Sequence, residues 1–113
     1  MKINLKNQIL VWVNNELVDV DNAVVSVFDH GFTVGDGAFE TLKVVDKNPV
    51  ALTRHIQRLV HSLKTLGIEL NSEEILRKAV NEVIFANSHL GNTMRMRITY
   101  TSGKGPLGSD RTK

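Results

Sequence analysis

Three arginines and one glycine-rich run hold the residues whose types and spacing suggest chemistry. The run V-S-V-F-D-H-G-F-T-V-G-D-G-A-F-E occupies Val25 to Glu40. It sets Gly31, Gly35 and Gly37, with Asp29 and Asp36, between two apolar stretches. Such backbone turns tightly and can approach another group closely, because glycine carries no Cβ. The run is not a phosphate loop. It lacks a Gly-Lys-Ser/Thr end, and G-D-G is not the spaced dinucleotide fingerprint. Its plain reading is a strand-to-strand connection with positive-φ positions. Glu40, at its end, is a candidate general base, but no close carboxylate partner is visible for it.

Arg58 lies in H-I-Q-R-L, on a stretch with helical periodicity. An arginine at the edge of an apolar stripe usually snorkels to solvent. The chemical alternative is a charge-assisted, bidentate contact to a phosphate or carboxylate. Arg95 and Arg97 share one face of a predicted strand, with Thr99 and Thr101 continuing the row. Two like charges on one face repel unless solvent or an anion separates them. That face is either a wet outer surface or an anion-binding floor for a substrate carboxylate. His30, His55, His61 and His89 show no metal spacing, so a zinc site is rejected. No nucleophile elbow and no cysteine are present.

The elements that must position these residues follow from period and punctuation. Ile9 to Val13, the Asn14-Asn15 pair, and Leu17-Val18 predict a hairpin. Ala23 to Phe28 and Phe39 to Val45 predict strands, the second closed by the turn Asp46 to Pro49. Leu52, Ile56, Leu59, Val60, Leu63 and Leu66 form one face of an amphipathic helix, stopped by Gly67. A second helix starts at Asn71 or Ser72, carries Glu73 and Glu74 in its first turn, and ends at Gly91. Thr93 to Thr101 alternates strictly: Met94, Met96, Ile98 and Tyr100 face one way, the arginines and threonines the other. Strands, two helices and a strand predict an α+β domain, with both helices on one face of a largely antiparallel sheet.

At 113 residues with 42% hydrophobic and 23% charged content, the chain makes one domain at most. Fourteen basic residues against twelve acidic ones, in no long basic run, give no indication of nucleic-acid binding. The absence of cysteine fits a reducing cytosol. No apolar signal core or membrane-length run occurs, so a cytoplasmic chain without a membrane partner is expected.

The run from Val25 to Thr41, then L-T-R-H-I-Q-R-L and S-G-K-G-P-L-G-S-D-R, resembles the class IV, fold-type-IV pyridoxal-phosphate enzymes. These include branched-chain aminotransferases, D-amino-acid aminotransferases and 4-amino-4-deoxychorismate lyase. The resemblance covers nearly all of the chain but only the smaller, N-terminal domain of the family. It implies a small domain over 1–102 and the start of an interdomain linker over 103–113. Arg58 then matches the arginine that holds the pyridoxal 5'-phosphate phosphate group. Phe39 matches an aromatic position lining the substrate pocket. Arg95, or Arg97 one pleat on, matches an arginine near the substrate carboxylate. His30 departs from the pattern, where arginine is frequent.

The family's Schiff-base lysine is expected beyond Lys113, and Lys104 and Lys113 lie in the wrong segment to replace it. The implied parent is an aminotransferase or aminodeoxychorismate lyase. It works through an external aldimine on an amino acid or aminodeoxychorismate, and is a homodimer. This stretch alone is expected to be inactive and to contribute no catalytic residue. The implied alternatives are a non-catalytic interaction domain of the same fold and a phosphate-sensing module built on Arg58 with Arg95.

Overall fold

The structure, a computed structural model, describes residues 8–107; Gly108 to Lys113, and with them part of the expected linker, lie outside the described residues. Among the described residues the fold is mixed α and β with antiparallel strands, in two sheets rather than one. The chain divides into two compact units. The described part of the first comprises residues 8–24, Lys43–Val50 and Ser72–Arg95. That of the second comprises Val25–Leu42, Ala51–Asn71 and residues 96–107.

In the first unit, strands β1 (Leu10–Val13) and β2 (Glu16–Asp19) form the expected hairpin, pairing Val13 with Glu16 and Leu10 with Asp19. Asn14 and Asn15 both carry positive φ, as a type I′ two-residue turn requires, and asparagine tolerates that region well. The end of β3 (Gly37–Val45) pairs with the short β4 (Asn48–Pro49) across Asp46-Lys47, a second turn with both φ values positive.

Helix α3 (Glu73–Ala86) starts where Ser72 accepts a hydrogen bond from the Ile75 amide, and Glu73 and Glu74 occupy its positive end. It buries Ala79, Val80 and Ile84. The helix stops at Ala86, five residues before the expected Gly91. Asn87 turns inward instead. Its side-chain amide donates to the Val83 and Leu10 carbonyls at 2.8 and 2.9 Å, and its oxygen accepts from the Leu10 amide at 2.8 Å. A buried side chain thus satisfies the Leu10 amide and carbonyl in addition to the hairpin pairing of that residue.

In the second unit, helix α2 (Leu52–Thr65) buries Ile56, Leu59 and Leu63, and Leu42 and Ile68 are buried too. Gly67, at φ 75°, closes α2 in a Schellman motif: its amide reaches the Lys64 carbonyl, and that of Ile68 reaches Leu63. Ala51 opens the helix at φ 56°, a left-handed conformation that costs a residue with a Cβ.

Two expectations for the run ahead of β3 need correction. Ala23 to Phe28 forms no strand: Val24, Val25 and Val27 are well over half exposed. The Ser26 hydroxyl accepts from the Phe28 amide and the Ser26 carbonyl from the Asp29 amide, so the segment bends into a turn. The glycine-rich connection also contains one helical turn, α1 (His30–Thr33), capped by the Asp29 carboxylate on the Gly31 amide.

Strand β5 (Thr93–Thr101) completes the three-stranded order β4-β3-β5. Gly37 is essential to the start of β3, because a Cβ there would lie 2.6 Å from the Tyr100 carbonyl oxygen. After β5, residues 103–106 are tied to the loop at α1. The His30 amide donates to the Gly103 carbonyl, that of Gly105 to Phe28, and buried His30 meets the Pro106 carbonyl through Nε2 at 2.7 Å.

Candidate functional site

Alternation along β3 decides which way each candidate faces. Phe39, Thr41 and Lys43 are exposed; Glu40, Leu42 and Val44 are buried. Neighbours on a strand point to opposite faces. The glycine-rich turn therefore does not present Phe39 and Glu40 together but delivers them to two separate settings.

On the buried face, Glu40 is only 7% exposed, and a buried carboxylate needs partners. It finds two on α2. His55 Nδ1 lies 2.7 Å from Oε1, and Arg58 Nε lies 3.6 Å from Oε2. His55 and Arg58 are three residues apart, so they share a helix face. The Arg58 side chain remains 67% exposed. Its Nε edge turns to Glu40, which leaves the outer edge of the guanidinium available to an anion. Glu40 stands here as an anchor for two helix side chains rather than beside a second carboxylate.

On the exposed face, Phe39 is 54% exposed, and the Arg97 guanidinium stacks 3.8 Å above its ring. Arg97 Nε also donates to Thr99 Oγ1 at 3.1 Å. Stacking and this bond hold a positive plate beside an aromatic wall. Arg95 falls in the first unit and is exposed on β5. Within the second unit the candidates separate into Arg58 with Glu40 and His55, and Phe39 with Arg97.

The link from Glu40 to His55 escaped the sequence reading. Its only trace there is the spacing of His55 and Arg58 on one helix face. Among the described residues, no group of three His, Cys, Asp or Glu side chains is placed to hold a metal ion, and no helix is long and apolar enough to cross a membrane.

Residues 37–113 match the family described as amino-transferase class IV. A Methanocaldococcus jannaschii protein provisionally named a branched-chain-amino-acid aminotransferase is 36% identical over 91% of this chain and 35% of its own length. Aminodeoxychorismate lyase of Bacillus subtilis is 34% identical over 83% of this chain and 32% of its own. Among solved structures, a T.th. branched-chain amino acid aminotransferase with pyridoxamine 5'-phosphate superposes at a TM-score of 0.81. It is 27% identical, over 94% of this chain and 36% of that one. The chain spans about a third of the length of the curated relatives it matches.

Proposed function

The chain belongs to the class IV aminotransferase family, and on that premise we propose that it forms the cofactor-phosphate and substrate-wall part of a pyridoxal-phosphate enzyme. The observation that carries this reading is Arg58: an exposed guanidinium on H-I-Q-R-L, held at its inner edge by buried Glu40. The donor set fits a phosphate monoester, since a planar guanidinium with a free outer edge can bind two phosphate oxygens at once. A solved relative that holds pyridoxamine 5'-phosphate shares this fold, which adds support.

Pyridoxal phosphate, when bound, supplies the electron sink for chemistry at the substrate α-carbon. This chain's residues bind and orient. Arg58 neutralises the phosphate. Phe39 offers an apolar wall to the substrate, and Arg97 stands beside that wall as the positive partner for a substrate carboxylate. Arg97 is favoured over Arg95 for this role because it alone of the two stacks on Phe39. The same reading makes the whole enzyme a cytoplasmic homodimer, with amine transfer from an amino acid or elimination from aminodeoxychorismate as the reaction. On this reading none of the lysines of these 113 residues bonds the cofactor.

The test uses the complete gene product with pyridoxal phosphate. It is offered a branched-chain L-amino acid with 2-oxoglutarate, D-alanine with 2-oxoglutarate, and aminodeoxychorismate. Formation of glutamate or release of pyruvate above the cofactor-only rate supports the proposal; neither product from any substrate refutes it. The 113-residue stretch alone should give no stoichiometric, single-site lysine adduct on borohydride trapping. A defined adduct at one lysine would place the bonding lysine within it.

A further inference from the structure

We propose that Glu40 is a positioning residue for Arg58: its buried carboxylate holds the Nε edge of the guanidinium so that the opposite edge faces a phosphate dianion. The inference rests on the reading of Arg58 as the phosphate anchor and adds what makes that anchor effective.

The geometry separates a positioning role from plain charge neutralisation. A carboxylate that only needed neutralising would gain most from a two-point fork with the arginine. Here the approach is at 3.6 Å from Nε, within ion-pair range but beyond a hydrogen bond. His55 supplies the short contact instead, 2.7 Å to Oε1. That bond fixes the carboxylate and leaves Oε2 directed at Arg58. His55 is itself mostly buried, at 19% exposure. The carboxylate is therefore held by a side chain that does not move with the ligand. Arg58, by contrast, is long, exposed and free to adopt many rotamers, and each unproductive rotamer weakens anion binding. A fixed charge at its inner edge restricts those rotamers without occupying the outer donors. β3 contributes the register: Glu40 points to the buried face because Phe39 before it points out.

The test uses the complete gene product and two probes that differ only in phosphate, pyridoxamine 5'-phosphate and pyridoxamine. Equilibrium affinities are read from probe fluorescence, without turnover. The quantity of interest is the ratio of the two affinities. Arg58→Ala should lower this ratio by at least about tenfold. Glu40→Gln, which keeps the shape and removes the charge, should lower it about three- to tenfold and leave pyridoxamine affinity unchanged. In an Arg58→Lys background, where there is no guanidinium to aim, Glu40→Gln should change the ratio no further.

An unchanged ratio in Arg58→Ala overturns the phosphate-anchor reading and this inference with it. A reduced ratio in Arg58→Ala with an unchanged ratio in Glu40→Gln overturns the positioning role alone. Equal loss of both affinities in Glu40→Gln also overturns it, because that is the mark of a merely structural residue. Should Glu40→Gln fail to fold, Glu40→Asp keeps the charge and withdraws the carboxylate by one methylene. The same selective loss is expected there, and its absence is decisive against the proposal.

Discussion

Arg97 lies over Phe39, its guanidinium carbon 3.8 Å from the ring centre. At an exposed site this stack contributes about 0.5–1 kcal/mol. Arg97→Ala should therefore lower stability by no more than about 1 kcal/mol in urea titration. In the complete gene product it should cut kcat/KM for a carboxylate-bearing substrate about tenfold or more. Stability loss without a kinetic effect would leave the stack a surface ornament.

Asn87 holds the Leu10 amide and carbonyl with two side-chain hydrogen bonds and the Val83 carbonyl with a third. Asn87→Ala strands the Leu10 amide and carbonyl and removes the cap on α3. The expected cost is about 2–3 kcal/mol. Amide exchange at Leu10 should rise with it; unaltered protection at Leu10 would show that water substitutes fully.

Gly37→Ala brings a methyl group to 2.6 Å from a backbone oxygen that has little room to yield. A loss of about 2 kcal/mol or more is expected from equilibrium unfolding. A loss below about 0.5 kcal/mol would mean that β3 and β5 separate there at little cost.

Ala51→Gly should act in the opposite direction. Ala51 sits at φ 56°, where a Cβ is penalised, so removing it should stabilise the protein by about 0.5–1 kcal/mol. A lowered melting temperature would show that unfolded-state entropy dominates at this position.

Local pattern made much of the fold legible. Helix α2 was readable because Ile56, Leu59 and Leu63 recur on one face, and β5 because apolar and polar residues alternate over nine positions. Asn14-Asn15 announced its own turn. Ala23 to Phe28 misled, because β-branched composition does not make a strand without a partner to pair with, and the Ser26 hydroxyl captured the backbone first. The early end of α3 depended on Leu10, 77 positions away, which no window of sequence contains. In the site, Arg58 and Phe39 were named from motif, but Glu40 meets His55 only after β3 and α2 have docked. That link is tertiary, and composition carried no sign of it.

Alternation at Phe39 and Glu40 has an evolutionary consequence. A strand is a partition one residue thick, and the residues on its two sides answer to different neighbours. Changes at Phe39 or Arg97 can alter the exposed face without disturbing the side chains that Glu40 organises behind it. Under the function proposed above, a lineage built this way is free to trade one amine substrate, or one reaction outcome, for another while its grip on the cofactor stays constant. Insertion of a single residue before Phe39 would remove that freedom, because it would exchange the two sides at once.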